Sequence, residues 1–268
     1  MKPQPVLKFS WIETVRSMLS LFVFVWVLSG CSAVQKTDGA INGRTRPTAP
    51  SSVGSGAAPA SQQIGHARRI PLQLEGFWQL NLPLSQRFDA SGLFEQKNGT
   101  LLTINDREAA VYQIKFQDGA NSADLIKIPD CFTPNQLAPF AKEKIDRYDI
   151  EGIAGDVEGR IYLSEEANRW ILRWDSKTRK VERLDIDWTP VQKYFHPTDR
   201  NASFEGVAVG EGRIYVANER QSGRIIVVDQ KTLKVIDDFM PRPSTAALGD
   251  IHYSDLSWFD GHLYVLLR

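Results

Sequence analysis

Residues 70–268 predict an all-β fold built from four-stranded antiparallel units, and three observations predict it. One long motif recurs. Glu151-Gly152-Ile153-Ala154, followed by Glu158-Gly159-Arg160-Ile161-Tyr162 and Glu166, returns as Glu205-Gly206-Val207-Ala208, Glu211-Gly212-Arg213-Ile214-Tyr215 and Glu219. Looser copies flank the pair: Ser91-Gly92-Leu93 with Asn98-Gly99-Thr100-Leu101-Leu102 and Asp106, and Asp255-Leu256-Ser257 with Asp260-Gly261-His262-Leu263-Tyr264. The turn glycines 99, 159, 212 and 261 stand 60, 53 and 49 positions apart. Four short strands repeated at about 50 residues have the period of a β-propeller blade. A sandwich also spaces its strands evenly, but it would not repeat turn chemistry and terminal acids at one period.

Within each unit the strands are rich in β-branched and aromatic residues and are joined by tight glycine-containing turns. The second halves also align, Trp170–Asp175 with Arg224–Asp229. Each then turns through Asp-x-Lys-Thr (Asp175, Lys177, Thr178; Asp229, Lys231, Thr232) into the runs Val181–Ile186 and Val235–Phe239. Residues 109–116 and 124–129 take these parts in the first unit. Thr133-Pro134-Asn135-Gln136 and Thr189-Pro190-Val191-Gln192 each predict a short helix between blades, with Thr as N-cap and Pro in the first helical position. Blades begin near 89, 149, 203 and 254, so about three and a half are present, and the sequence predicts a truncated ring. Residues 76–84 predict a strand of the kind that would complete the last blade. Trp170, Trp174 and Trp258 are expected to fill gaps between blades.

Residues 1–30 carry the three parts of an export signal. Lys2, Lys8 and Arg16 are positive, and an apolar run follows from Met18 to Leu28, short of the roughly 20 residues that span a bilayer. Leu28-Ser29-Gly30-Cys31 resembles a lipobox, which predicts lipidation at Cys31 and a mature chain beginning there. Several acyl chains make such an anchor durable. Ser32 resembles the residue of lipoproteins sorted to the outer membrane, so the expectation is an anchored protein facing the periplasm. Residues 31–69 are Ala-, Ser-, Gly- and Pro-rich and read as a disordered tether. Cys131 then has no intramolecular partner, and neither a disulfide framework nor CxxC zinc spacing is present.

The formal net charge is zero, which argues against nucleic acid as a partner. No GxSxG, HExxH or phosphate-cradling glycine loop occurs. The histidines His66, His196, His252 and His262 lack metal-ligand spacing; Asp250-Ile251-His252 in a loop could ligate a metal, but His252 reads more simply as a surface residue. The acids are more informative. Glu151, Glu205 and Asp255 open the innermost strands of successive blades, so ring symmetry should bring them toward one axis. Asp106, Glu166 and Glu219 close the neighbouring strands, and antiparallel pairing puts both sets on one rim. Clustered carboxylates need positive charge. A hard divalent cation such as Ca²⁺ would supply it through oxygen ligands. So would Arg107 and Arg220, each directly following an acid. The same acids could instead lock neighbouring blades through backbone N–H groups and arginine.

The motifs Asp149–Ala154, Ile161–Glu166, Phe204–Ala208 and Tyr215–Arg220, with Ser254-Asp255-Leu256-Ser257, resemble exported propellers of the SdiA-regulated and phytase-like esterase families. The resemblance covers roughly residues 75–268 and implies a six-bladed ring with a ligand or cation site near the central channel. Ser91 in place of the first acid, and Arg268 where a fourth Glu would stand, depart from the pattern. Two functions follow as expectations. One is a cell-envelope propeller that binds a small ligand or an envelope protein. The other is a metal-dependent phosphoester or ester hydrolase, with the absence of a dense Lys/Arg cluster near the acids counting against a highly phosphorylated substrate.

Overall fold

A computed structural model describes residues 76–82, 87–140, 148–199, 201–219, 223–241 and 252–267. Nearer the N-terminus it also gives the backbone of three short strands, β1 (Pro5–Lys8), β2 (Ser32–Val34) and β3 (Ala67–Arg68). The lipidation position Cys31, and apart from these strands the signal and tether, lie outside the described residues. So do Arg220 and Arg268. Among the described residues no helix is long and apolar enough to cross a membrane.

The first blade holds β5 (Ala90–Glu95), β6 (Leu101–Asn105), β7 (Glu108–Phe116) and β8 (Ser122–Lys127). The second holds β9 (Ile150–Gly155), β10 (Ile161–Glu165), β11 (Trp170–Asp175) and β12 (Lys180–Arg183). The third holds β13 (Phe204–Gly210), β14 (Arg213–Asn218), β15 (Arg224–Asp229) and β16 (Val235–Phe239). In each, consecutive strands pair antiparallel as a meander. In the fourth, β17 (Tyr253–Phe259) pairs β18 (His262–Leu267), and the backbone of β2 and then β3 continues that sheet.

The turn chemistry is what the repeats predict. Gly99, Gly159, Gly212 and Gly261 all have positive φ, from 70° to 81°. In the two-residue turns Glu211-Gly212 and Asp260-Gly261 both residues are left-handed, the geometry that matches the twist of a tight hairpin. The Asp-x-Lys-Thr turns also repeat: the Oδ1 of Asp175 accepts from the N–H of Lys177 and Thr178, and that of Asp229 from Lys231 and Thr232.

Two expectations change in detail. Thr133 does cap a helix, α1 (Pro134–Leu137), in a capping box with Gln136. Thr189, however, lies inside a 3₁₀ helix (Thr189–Tyr194) whose cap position is Trp188, with no side-chain bond there. The strand expected at 76–84 forms as β4 (Gly76–Asn81), but it lies parallel to β8 at the outer edge of the first blade. That edge is free to pair, and the pairing buries Leu80 beside Leu101, Ile114 and Ala123.

The core is a series of seams between blades. Leu102, Ile104 and Val111 of the first blade pack on Ile153, Leu163 and Leu172 of the second. Tyr162 and Ile171 meet Phe204, Val207 and Val216 across the next seam. Ala217, Ile225 and Val227 meet Leu256, Leu263 and Val265 across the third. Trp170 and Trp174 flank the first seam, and Trp258 stacks on Tyr215 across the third, with ring centroids 5.2 Å apart and planes 8° from parallel. On the rim that carries the β9–β10 turn, Asp156 ties two blades, accepting from Tyr162 Oη at 2.8 Å and from Gln230 Nε2 of the third blade at 3.1 Å.

Candidate functional site

The innermost strands β5, β9, β13 and β17 share one irregularity. Ala90 faces Asn105 but Leu93 faces Thr103; Ile150 faces Glu165 but Gly152 faces Ser164. Phe204 faces Asn218 but Val207 faces Val216; Tyr253 faces Leu267 but Asp255 faces Leu266. Each is a β-bulge that adds one residue to the inner strand and re-aims the side chains beside it.

The register sets the equivalences between blades. Ser91, Glu151, Glu205 and Ser254 occupy the bulge, and Gly92, Gly152, Gly206 and Asp255 occupy the next position. This corrects the alignment of Asp255 with Glu151 and Glu205. A motif comparison matches acid to acid, whereas the pairing with Leu266 puts Asp255 in the glycine place. The glycines lie where successive inner strands touch. A Cβ on Gly152 would meet Val207 N at 2.8 Å, and one on Gly206 would meet Asp255 Cα at 2.7 Å.

A second set of equivalent residues forms the rim. The N–H of Asp106 donates to Asp89 O, that of Glu166 to Asp149 O and that of Glu219 to Ser203 O. The acid ending each second strand therefore sits beside the residue leading its own blade, and it also reaches the leading residue of the next blade. The chemistry of that seam contact differs along the arc. Glu166 Oε1 accepts from the backbone N–H of Ser203 at 3.1 Å. Glu219 Oε1 lies 3.0 Å from Nδ1 of His252. At the first seam an acid faces acids: one carboxylate oxygen each from Asp106, Asp149 and Glu151 lies within 4.8 Å of the others.

Glu166, Glu205 and Glu219 also have carboxylate oxygens within 4.8 Å of one another, and all three are buried. The six predicted acids thus do not meet at one point. Five divide between two seams of one rim, and Asp255 joins neither cluster. Its carboxyl accepts from Leu256 N at 2.8 Å, and burial, opposed by that bond and by Leu93 N of the first blade, pushes it up to about 8.

The two clusters suit different roles. The Asp106–Asp149–Glu151 group is half-buried, so a cation could reach it with part of its water shell retained. Ca²⁺ takes 6–8 oxygens, which three carboxylates, carbonyls and water supply together. Arg107 stands nearby, but its Nε is 2.7 Å from Asp89 and 3.7 Å from Asp106. Burial works to raise Asp89, and the hydrogen bonds and charges of Arg107 and Arg87 outweigh it, holding the carboxyl below its ordinary value. Arg107 is therefore committed first to Asp89. The Glu166–Glu205–Glu219 group is buried and bonded to Ser203 and His252, as befits a lock between blades. Ser91 Oγ to Ile150 O at 2.7 Å and Ser164 Oγ to Glu205 O at 3.2 Å add further latches.

Three residues escaped the sequence reading. Asp149 stands beside the motif glutamate, and only the bulge shows that it shares the seam with it. His252 was expected on the surface, yet it meets a fully buried carboxylate. Glu165 is also fully buried; burial raises its carboxyl, opposed by bonds from Asn168, whose N–H donates at 2.8 Å.

Four-stranded blades arranged about closely packed inner strands, with carboxylates gathered at the seams of one rim, define a β-propeller with an acidic mouth. The chain belongs to the phytase-like family, described as having the esterase-like activity of phytase, whose profile matches residues 89–268. No curated protein matches it. Among solved structures, the chain is similar to virginiamycin B lyase from Staphylococcus aureus (14% identity, TM-score 0.38, 68% of this chain and 50% of that one). It is also similar to YCF48 bound to D1 peptide (9%, 0.42, 76% and 55%) and to the Dos1 propeller (11%, 0.38, 73% and 45%). It spans about half the length of these structures.

Proposed function

We propose that the protein is an exported lipoprotein, held to the outer membrane through lipid on Cys31, whose propeller takes a divalent cation at the Asp106–Asp149–Glu151 seam and binds a small ligand or an envelope protein there. The seam contact carries this reading. Where the equivalent contacts at the next two seams bring an acid to an N–H or an imidazole, here three half-buried carboxylates place one oxygen each within 4.8 Å of the others, a set of hard donors that one cation can share. Asp106, Asp149 and Glu151 would hold the ion, and their hard oxygens favour Ca²⁺ over softer metals. When bound, the ion offers a ligand's carboxylate or phosphate oxygens a positive centre in exchange for water. The lipobox-like Leu28-Ser29-Gly30-Cys31 supports the anchor.

Titration calorimetry of the purified chain with Ca²⁺ and Mg²⁺ tests it. Binding that Asp149→Asn weakens at least tenfold is expected; no heat with either ion in the wild-type chain removes the cation site.

A second reading is a hydrolase of esters or phosphoesters. The family match favours it. There the cation would polarise the bond to be cleaved, and a protein group would take the proton of the attacking water.

A further inference from the structure

His252 leads the fourth blade, the place that Asp89, Asp149 and Ser203 hold in the others, and its ring meets the acid that ends β14. Nδ1 lies 3.0 Å from Glu219 Oε1; the Glu219 side chain is fully buried, whereas that of His252 is 30% exposed. Among the described residues no bond is made to Nε2. A buried carboxylate on Nδ1 of a side chain that is part exposed is the arrangement that fixes an imidazole's tautomer and steadies the imidazolium that forms when Nε2 takes a proton. Glu219 is itself held, through its N–H to Ser203 O at 2.8 Å and by the full burial of its side chain. The pair is thus built on the ends of two packed blades.

We propose that His252 is a general base, oriented by Glu219, that activates water to hydrolyse small carboxylic esters. This rests on the hydrolase reading and gives it a residue and a substrate class. Water would lose a proton to Nε2 while its oxygen forms a bond to the acyl carbon and the carbonyl π pair moves onto oxygen. The tetrahedral species then breaks its bond to the alcohol oxygen, which takes the proton back from Nε2. Acid and alcohol leave, and the neutral imidazole is restored. His252 is the catalytic residue and Glu219 a positioning residue. The substrate class follows the family description, esterase-like activity, and the two probes of the test tell a carboxylic ester from a phosphoester.

The test uses the full chain with p-nitrophenyl acetate and p-nitrophenyl phosphate. His252→Asn keeps an N–H donor where Nδ1 stands but removes Nε2. It should hold the wild-type melting temperature while kcat on the acetate falls about 100-fold or more with KM unchanged. Glu219→Gln should lower kcat with KM unchanged. His252→Gly should be inactive and should recover activity when free imidazole is added, which a purely structural role would not produce. Wild-type turnover in His252→Asn, no imidazole rescue, or hydrolysis of the phosphate but not the acetate would overturn the assignment. Hydrolysis of neither probe by the wild-type chain would remove the hydrolase reading itself.

Discussion

Asp255 stands in the fourth blade where Gly206 stands in the third, one residue past the bulge of the inner strand. The two positions also touch, since a Cβ built on Gly206 would lie 2.7 Å from Asp255 Cα and 2.7 Å from Leu256 N. The glycine is small because the next blade's backbone occupies its side-chain space. The aspartate can carry a side chain because its carboxyl finds backbone N–H groups instead, Leu256 N at 2.8 Å and Leu93 N across the arc.

Gly206→Ala should therefore be costly for a steric reason. The obstructing atoms are backbone, which cannot rotate aside, and forced overpacking of this kind costs about 1–3 kcal/mol or more. Gly212→Ala is the control: its Cβ meets nothing within 4 Å, and only its positive φ of 70° opposes the change, at about 1–2 kcal/mol. Thermal melts of the two variants are expected to place Gly206→Ala lower. The reverse order would mean that the inner strands are not in contact there.

Asp255 should also give the fold a pH dependence. Burial raises its carboxyl from an ordinary 3.8 to about 8, against the smaller pull of the two N–H groups. Between those values the folded chain holds a proton that the unfolded chain has released, so stability falls as pH rises. The contribution is intact below about pH 4, declines toward pH 8 and is level above it. Asp255→Asn should match the wild type near pH 4 and exceed it near pH 8 in urea denaturation. Parallel curves for the two proteins across that range would refute the assignment.

The period, the turns and the seams of this fold are legible in the sequence because each depends on local chemistry. Gly99, Gly159, Gly212 and Gly261 supply left-handed backbone, and Asp175 and Asp229 cap their turns with their own side chains. The bulges are not legible in this way. A bulge is a matter of which residue faces which across two strands, and one added residue moved Asp255 from the acid place to the glycine place without any local sign. Asp149 and His252 were missed for the same reason. Neither lies in a ligand-like spacing, and each acquires its partner only when the end of one blade meets the start of the next. β4 shows the same limit from another side: its alternation marks a strand, but only the free edge of β8 decides where it pairs.

The anchor proposal makes a separate prediction. Cys31→Ser removes the thiol that would accept lipid. The variant should no longer incorporate labelled palmitate in cells, and it should leave the membrane fraction. Labelling that persists in Cys31→Ser would place the lipid elsewhere or dismiss the lipobox. Cys131 is no substitute, since it is buried and burial pushes its thiol up to about 12, leaving it protonated and shielded.

The two carboxylate clusters can be told apart by what a cation does to stability. A ligand that binds only the folded chain stabilises it by about 2.7 kcal/mol when present at 100 times its dissociation constant. If the ion sits at Asp106, Asp149 and Glu151, the melting temperature of the wild type should rise with Ca²⁺, and Glu151→Gln should abolish the rise while melting near the wild type without calcium. Glu205→Gln alters the buried lock instead. It should shift the calcium-free melting temperature, because Glu205 is packed among two other acids, yet keep the full rise on adding Ca²⁺. A calcium response that survives Glu151→Gln and vanishes in Glu205→Gln would move the ion to the buried seam, and the half-buried group of Asp106, Asp149 and Glu151 would lose its role as the cation site.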